Sequence, residues 1–138
     1  MEHDPTEIAR LMWAADTASR SLGMELIEVD LGRAVLRMEV RPDMVNGLDV
    51  CHGGVVFTLA DSAMAYSSNS FNQRALATNA EIDWIGPAST GSVLTATATQ
   101  RHQRGRAAIT DVEVVDETGS VVAMFRGRTL QVAGHHVG

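Results

Sequence analysis

HGGVVFTLADSAMAY, residues 52–66, decides how this chain folds. Val55, Val56, Phe57, Leu59, Ala60, Ala63, Met64, Ala65 and Tyr66 leave almost no polar face over three helical turns. A helix that is apolar on nearly every side has to be buried. The pattern predicts a central helix over 53–71, opened by Gly53-Gly54. Ala60, Ser62, Ala63 and Ala65 are small enough to let other backbones approach it closely. Asp61 interrupts the apolar run. Aspartate is a poor helix former, and an unpaired buried carboxylate is costly. Two readings follow: a carboxylate held by hydrogen bonds at a subunit contact, or a base or nucleophile whose basicity is set by its surroundings.

The flanking sequence supplies what would wrap such a helix. Upstream, Ala34, Leu36, Met38 and Val40 alternate with Val35, Arg37, Glu39 and Arg41, the period of a strand with one buried face. Leu31-Gly32-Arg33 reads as the turn from an earlier strand, and residues 42–52 as a loop. Downstream, strands are expected over 75–85, 92–101, 106–116 and 120–132, joined by short hairpins into an antiparallel sheet. At the front, Asp4-Pro5-Thr6-Glu7 is a helix start. Ile8, Leu11, Met12, Ala15, Ala18 and Leu22 carry an apolar stripe, so residues 1–22 hold an N-terminal helix stopped by Gly23. Residues 133–138 read as a flexible tail. The class is α+β, a single domain over 1–138.

Charge narrows the partners. The net charge of −6 argues against a nucleic-acid surface, which needs a basic excess, and against a polybasic membrane anchor. The opening MEHDPTEIAR carries acids where a signal peptide carries bases, and no run approaches a membrane span. A cytoplasmic protein is expected, and the lone Cys51 fits a reducing compartment.

Among candidate chemical groups, His52-Gly53-Gly54 sits where the buried helix begins. Free N–H groups there would hold a developing oxyanion; a tight turn also explains the glycines. Gly53 and Asp61 are eight residues apart, about 12 Å along one helix. One reacting carbon cannot touch both from a single chain, so a shared site needs two copies. Cys51 reads as a small buried apolar residue. His135-His136 reads as solvated, and the histidines lack zinc-site spacing, so no metal is expected. Arg101, Arg104 and Arg106 form a basic hairpin tip, either solvated or a seat for the phosphates of a nucleotide tail. Arg126 and Arg128, two apart on one strand, raise the same pair of options.

The stretch from His52 to Ala63 resembles the HGG…F.LAD.A motif of hotdog thioesterases of the phenylacetic acid degradation (PaaI) type. The resemblance continues through Ser68–Gln73, Ile82–Pro87, Arg101–Gln103 and Ala123–Gly127. It implies a hotdog fold, a curved antiparallel sheet around one long helix. It also implies homodimers with shared active sites that pair into homotetramers, no cofactor, and hydrolysis of aryl-acetyl- or hydroxyphenylacetyl-CoA. Asp61 then matches the catalytic carboxylate and Gly53 the oxyanion-hole glycine, with Gly54 beside it in the substrate site. Asn46 matches a residue that positions water or substrate, and His52 a supporting histidine. Thr78 or Asn79 would complete the site. Trp84, Phe57, Met64 and Tyr66 are candidate pocket walls or core. The rival readings are a hotdog dehydratase and a non-catalytic acyl-CoA-binding module.

Overall fold

The structure, a computed structural model, describes residues 3–138. Two short helices, α1 (Pro5–Ala15) and α2 (Thr17–Ser21), precede the hairpin of β1 (Glu25–Asp30) and β2 (Arg33–Glu39). A loop with one 3-10 turn leads into α3 (Gly53–Ser68), followed by β3 (Gln73–Trp84), β4 (Val93–Arg104), β5 (Ala107–Val115) and β6 (Val121–His135).

α3 is the buried helix that its composition requires. Val56, Leu59, Ala60, Ala63, Met64 and Tyr66 are all at most 2% exposed. The helix touches all six strands of the sheet that wraps it, the hotdog arrangement. Small residues set how closely the layers meet. A Cβ on Gly127 of β6 would lie 2.8 Å from Met64 Cε and 3.0 Å from Phe125 Cε1. The helix ends at Ser68, where Asn69 donates to the carbonyls of Ala65 and Ala75, earlier than the expected end at 71.

The strand order is β1-β2-β4-β5-β6-β3. Strands 4, 5 and 6 are joined by hairpins as expected, but β3 pairs with β6 and β4 pairs with β2. The chain of hairpins breaks because α3 delivers the polypeptide to the far edge of the sheet. The link over 85–92 then returns it to the end of β2, where the Gly91 N–H donates to Val40 O.

The N-terminal helix is two helices. Asp16 leaves helical geometry and caps α2 by accepting from the Ser19 N–H (3.1 Å). It also accepts from the Tyr66 hydroxyl (3.0 Å), fifty residues away. The buried row is turned from the expected stripe: Ile8 and Ala9 are buried, Met12 and Trp13 pack partly on the core, and Leu11 is 49% exposed. No helix among the described residues is long and apolar enough to cross a membrane.

Residues 133–138, expected as a free tail, are tied down. β6 extends to His135. Beyond it, Asn72 Oδ1 accepts from the His136 and Val137 N–H groups (3.1 and 2.9 Å), and its Nδ2 donates to Val137 O (2.8 Å). Asn72 has φ of 72°, a conformation asparagine tolerates better than most residues. Asn72→Ala is expected to cost roughly 1–3 kcal/mol in urea unfolding and to abolish exchange protection at Val137, whereas the His136 N–H keeps the Asn72 backbone carbonyl (3.3 Å) as an acceptor. Asn72→Gly should cost less stability yet release the tail equally. Retained protection at Val137 in either variant would show that the clamp does not hold it.

Candidate active site

The start of α3 exposes backbone donors. His52 occupies the cap position without a side-chain cap bond, and its carbonyl accepts from the Val55 and Val56 N–H groups. Among the described residues, the Gly53 and Gly54 N–H groups have no acceptor. Such orphan donors at a helix N-terminus favour a developing negative charge. Gly53 has a steric reason to be glycine. The Trp84 indole lies against it, its Nε1 donating to Gly53 O (3.2 Å), and a Cβ at 53 would meet Trp84 Cε2 at 2.9 Å. Gly54 faces open space.

Asn46 reaches the same place from the preceding loop. Its Oδ1 accepts from the Leu48 and Val50 N–H groups (2.9 and 3.2 Å), which fixes the amide orientation. The Nδ2 group is left without a protein acceptor among the described residues. Asn46 and Gly53 together line a cavity of about 390 Å³ whose walls include Val56, Trp84, Pro87 and Val122. Two donor groups therefore border one largely apolar pocket, an arrangement suited to polarising a carbonyl.

Asp61 stands elsewhere on α3. Gly54, Thr58, Asp61 and Ala65 form the outward row of the helix, at spacings of four, three and four. The Asp61 carboxylate has no hydrogen-bond or ion-pair partner among the described residues, and burial raises its pKa above the ordinary carboxylate value. It is a partly desolvated, unengaged base. Eight residues separate it from Gly53, about 12 Å along the axis.

The profile of the thioesterase superfamily matches residues 48–123, more than half the chain. Acyl-coenzyme A thioesterase PaaI of Escherichia coli strain K12 is 40% identical over 134 residues, spanning 97% of this chain and 96% of that protein. This chain belongs to the thioesterase superfamily, among its PaaI-type hotdog members. The solved structure of the E. coli PaaI protein superposes with a TM-score of 0.95 at 39% identity, covering 97% of both chains. A mutant of the phenylacetic acid degradation protein PaaI from Thermus thermophilus gives 0.81 at 34% identity, covering 85% of this chain and all of that one.

The remaining candidates of this PaaI-type chain do not gather at one point. The His52 side chain is exposed. Thr78 occupies a bulge of β3, its hydroxyl donating to Arg128 O (3.4 Å), and Asn79 pairs across from Arg128. Arg101 shares the Asp111 carboxylate with Arg126: Arg126 holds it at 2.6 and 2.9 Å, Arg101 at 3.1 Å. The two Arg126 hydrogen bonds, followed by the one from Arg101, hold Asp111 below the usual carboxylate range. Arg104 and Arg106 flank the exposed β4–β5 turn and have no carboxylate partner among the described residues. Cys51 is buried, burial raises its thiol pKa, and its Sγ faces only the neighbouring His52 carbonyl, so it is a core residue. Met64 and Tyr66 are core as well, whereas Trp84 is 55% exposed and walls the Asn46 pocket. No three His, Cys, Asp or Glu side chains among the described residues converge as a metal site requires.

Proposed function

We propose that this PaaI-type acyl-CoA thioesterase hydrolyses aryl-acetyl- and hydroxyphenylacetyl-CoA to free acid and CoA at a site shared by two copies of the chain. The observation that carries the reading is the division of labour along α3. Oxyanion donors cluster with Asn46 at its N-terminus, and an unengaged carboxylate lies about 12 Å away. In the shared site, the thioester oxygen accepts from the Gly53 N–H of one copy, with the Asn46 amide beside it. Asp61 of the other copy takes a proton from water as the oxygen attacks, or attacks directly to form an anhydride that water opens. The C–S bond breaks and the thiolate leaves to be protonated. His52, Gly54 and Thr78 or Asn79 border this site, and Arg101, Arg104 and Arg106 are the candidates for the CoA phosphates.

The β3 edge supports a second copy. It is twelve residues long, is one of the two outermost strands of the sheet, and carries Leu76 (63% exposed) and Trp84. A long edge with exposed apolar side chains invites strand-to-strand pairing.

Free-thiol release from phenylacetyl-, hydroxyphenylacetyl-, benzoyl-, short-chain and long-chain CoA tests the reading. The kcat/KM for the aryl-acetyl substrates is expected to exceed the others by about 10-fold or more. Equal or faster turnover of straight-chain thioesters would overturn the acyl assignment, and no release from any substrate would overturn the reaction.

A further inference from the structure

Leu11 and Ala15, the half of the α1 apolar stripe that turns away from the core, are not simply solvated. With Met12 they line a second cavity, about 410 Å³, which Ala65 also lines. Ala65 follows Asp61 by one turn on the outward row of α3, about 6 Å along the axis. The cavity therefore reaches α3 one turn beyond Asp61, on the side away from Gly53.

The polar lining of this cavity is Asp16, Tyr66, Arg74 and His136. Asp16 and Tyr66 satisfy each other through the hydrogen bond already described. His136 Nε2 lies 2.8 Å from Asn69 Oδ1. The Asn69 amide is oriented independently, its Nδ2 donating to Ala65 O and Ala75 O and its Oδ1 accepting from the Ala75 N–H (2.9 Å). Its oxygen therefore faces the ring, so Nε2 carries the proton and Nδ1 is a bare acceptor in the neutral ring. Arg74 uses Nε on the His135 carbonyl (3.2 Å), and its terminal nitrogens have no carboxylate partner among the described residues.

The geometry points to this cavity as the seat of the distal end of the acyl group, with His136 and Arg74 as the residues that select a hydroxyl there. The inference rests on the thioesterase reading and adds its specificity determinants. A phenolic hydroxyl donates to Nδ1 of His136 and accepts from the Arg74 guanidinium, while Leu11, Met12 and Ala65 pack along the ring. Burial, followed by the charge of Arg74, lowers the pKa of His136, which keeps the ring neutral and Nδ1 available at neutral pH. A site built to hydrogen-bond a hydroxyl discriminates against the analogue lacking it, because its own polar groups are then left unpaired.

The test is the ratio of kcat/KM for 4-hydroxyphenylacetyl-CoA to that for phenylacetyl-CoA, in wild type, His136→Phe, Arg74→Met and Arg74→Lys. The ratio should favour the hydroxylated substrate in wild type. It should fall about 10-fold in His136→Phe and in Arg74→Met, and recover in part in Arg74→Lys. Loss of rate on both substrates in equal proportion would overturn the proposal, since that is what a merely structural tether would produce. If wild type hydrolyses neither thioester, the reaction assignment fails instead. The specificity site is then tested by titrating both thioesters into wild type and His136→Phe by calorimetry. A hydroxyl preference in Kd that His136→Phe removes supports the site, and equal Kd values in wild type overturn it.

Discussion

Asp61→Asn is expected to lower kcat for thioester hydrolysis by about 10²–10⁴-fold, the usual worth of a positioned general base, with little change in KM. The amide keeps the shape of the side chain and loses its basicity. Burial raises the Asp61 pKa, so the acid limb of the wild-type kcat/KM profile should lie above the ordinary carboxylate value of about 4. The same variant should gain stability. With a raised native pKa, the folded chain binds more protons than the unfolded chain between the ordinary carboxylate value and the native one. Wild-type stability is therefore lost as pH rises through that window. Above it, the ionised carboxylate is a burden that asparagine removes. Thermal unfolding should show a higher Tm for Asp61→Asn at neutral pH, and the advantage should vanish once the solution is acidic enough to protonate Asp61 in both states. Near-wild-type turnover combined with a lowered Tm would instead identify Asp61 as a structural carboxylate, the other reading its position in the sequence allowed.

Gly127→Val should be strongly destabilising at the helix–sheet contact. The backbone of Gly127 does not need glycine's freedom, since its φ is not positive, and valine suits a strand. The obstacle is space: any Cβ there collides with the Met64 thioether and lies 3.0 Å from Phe125 Cε1. Met64 is completely buried, so its flexible end has nowhere to go. Overpacking of this kind costs about 1–3 kcal/mol, occasionally more. Met64→Ala removes three heavy atoms from the same space into which Gly127→Val introduces three. Alone it leaves a cavity and costs roughly 2–5 kcal/mol. The double variant should therefore be more stable than the sum of the single losses predicts, a coupling measurable by urea unfolding. Strict additivity would show that Met64 and Gly127 do not share this space.

The two variants differ in how their sites are read. Asp61 is visible in the chain because a carboxylate in an apolar run violates local expectation, and such violations concentrate at functional sites. Gly127 gives no such signal. A glycine in a strand has several explanations, and only the approach of Met64, sixty-three residues earlier, selects one. The division at Asp16 is similar. The apolar periodicity of residues 8–22 favours one helix, and the chain breaks because Asp16 caps α2 and meets the Tyr66 hydroxyl, a partner that no local window contains.

By itself, the sequence determined the elements that depend on near neighbours. The all-round apolar run made α3 a buried helix, period-two alternation marked the strands, and glycine-bearing turns separated them. The motif from His52 to Ala63 also pointed to the family and offered Gly53 and Asp61 as candidates, whose spacing of eight positions on one helix fixes their separation. Tertiary structure decided what depends on distant parts meeting. It paired β3 with β6 and set Trp84 against Gly53. It turned Asn46 toward the same pocket and folded the last residues back onto Asn69 and Asn72. The physical reason is range: helical and strand periodicity act over a few residues. Strand order, cavity walls and a histidine's tautomer are set by contacts whose partners lie tens of residues apart.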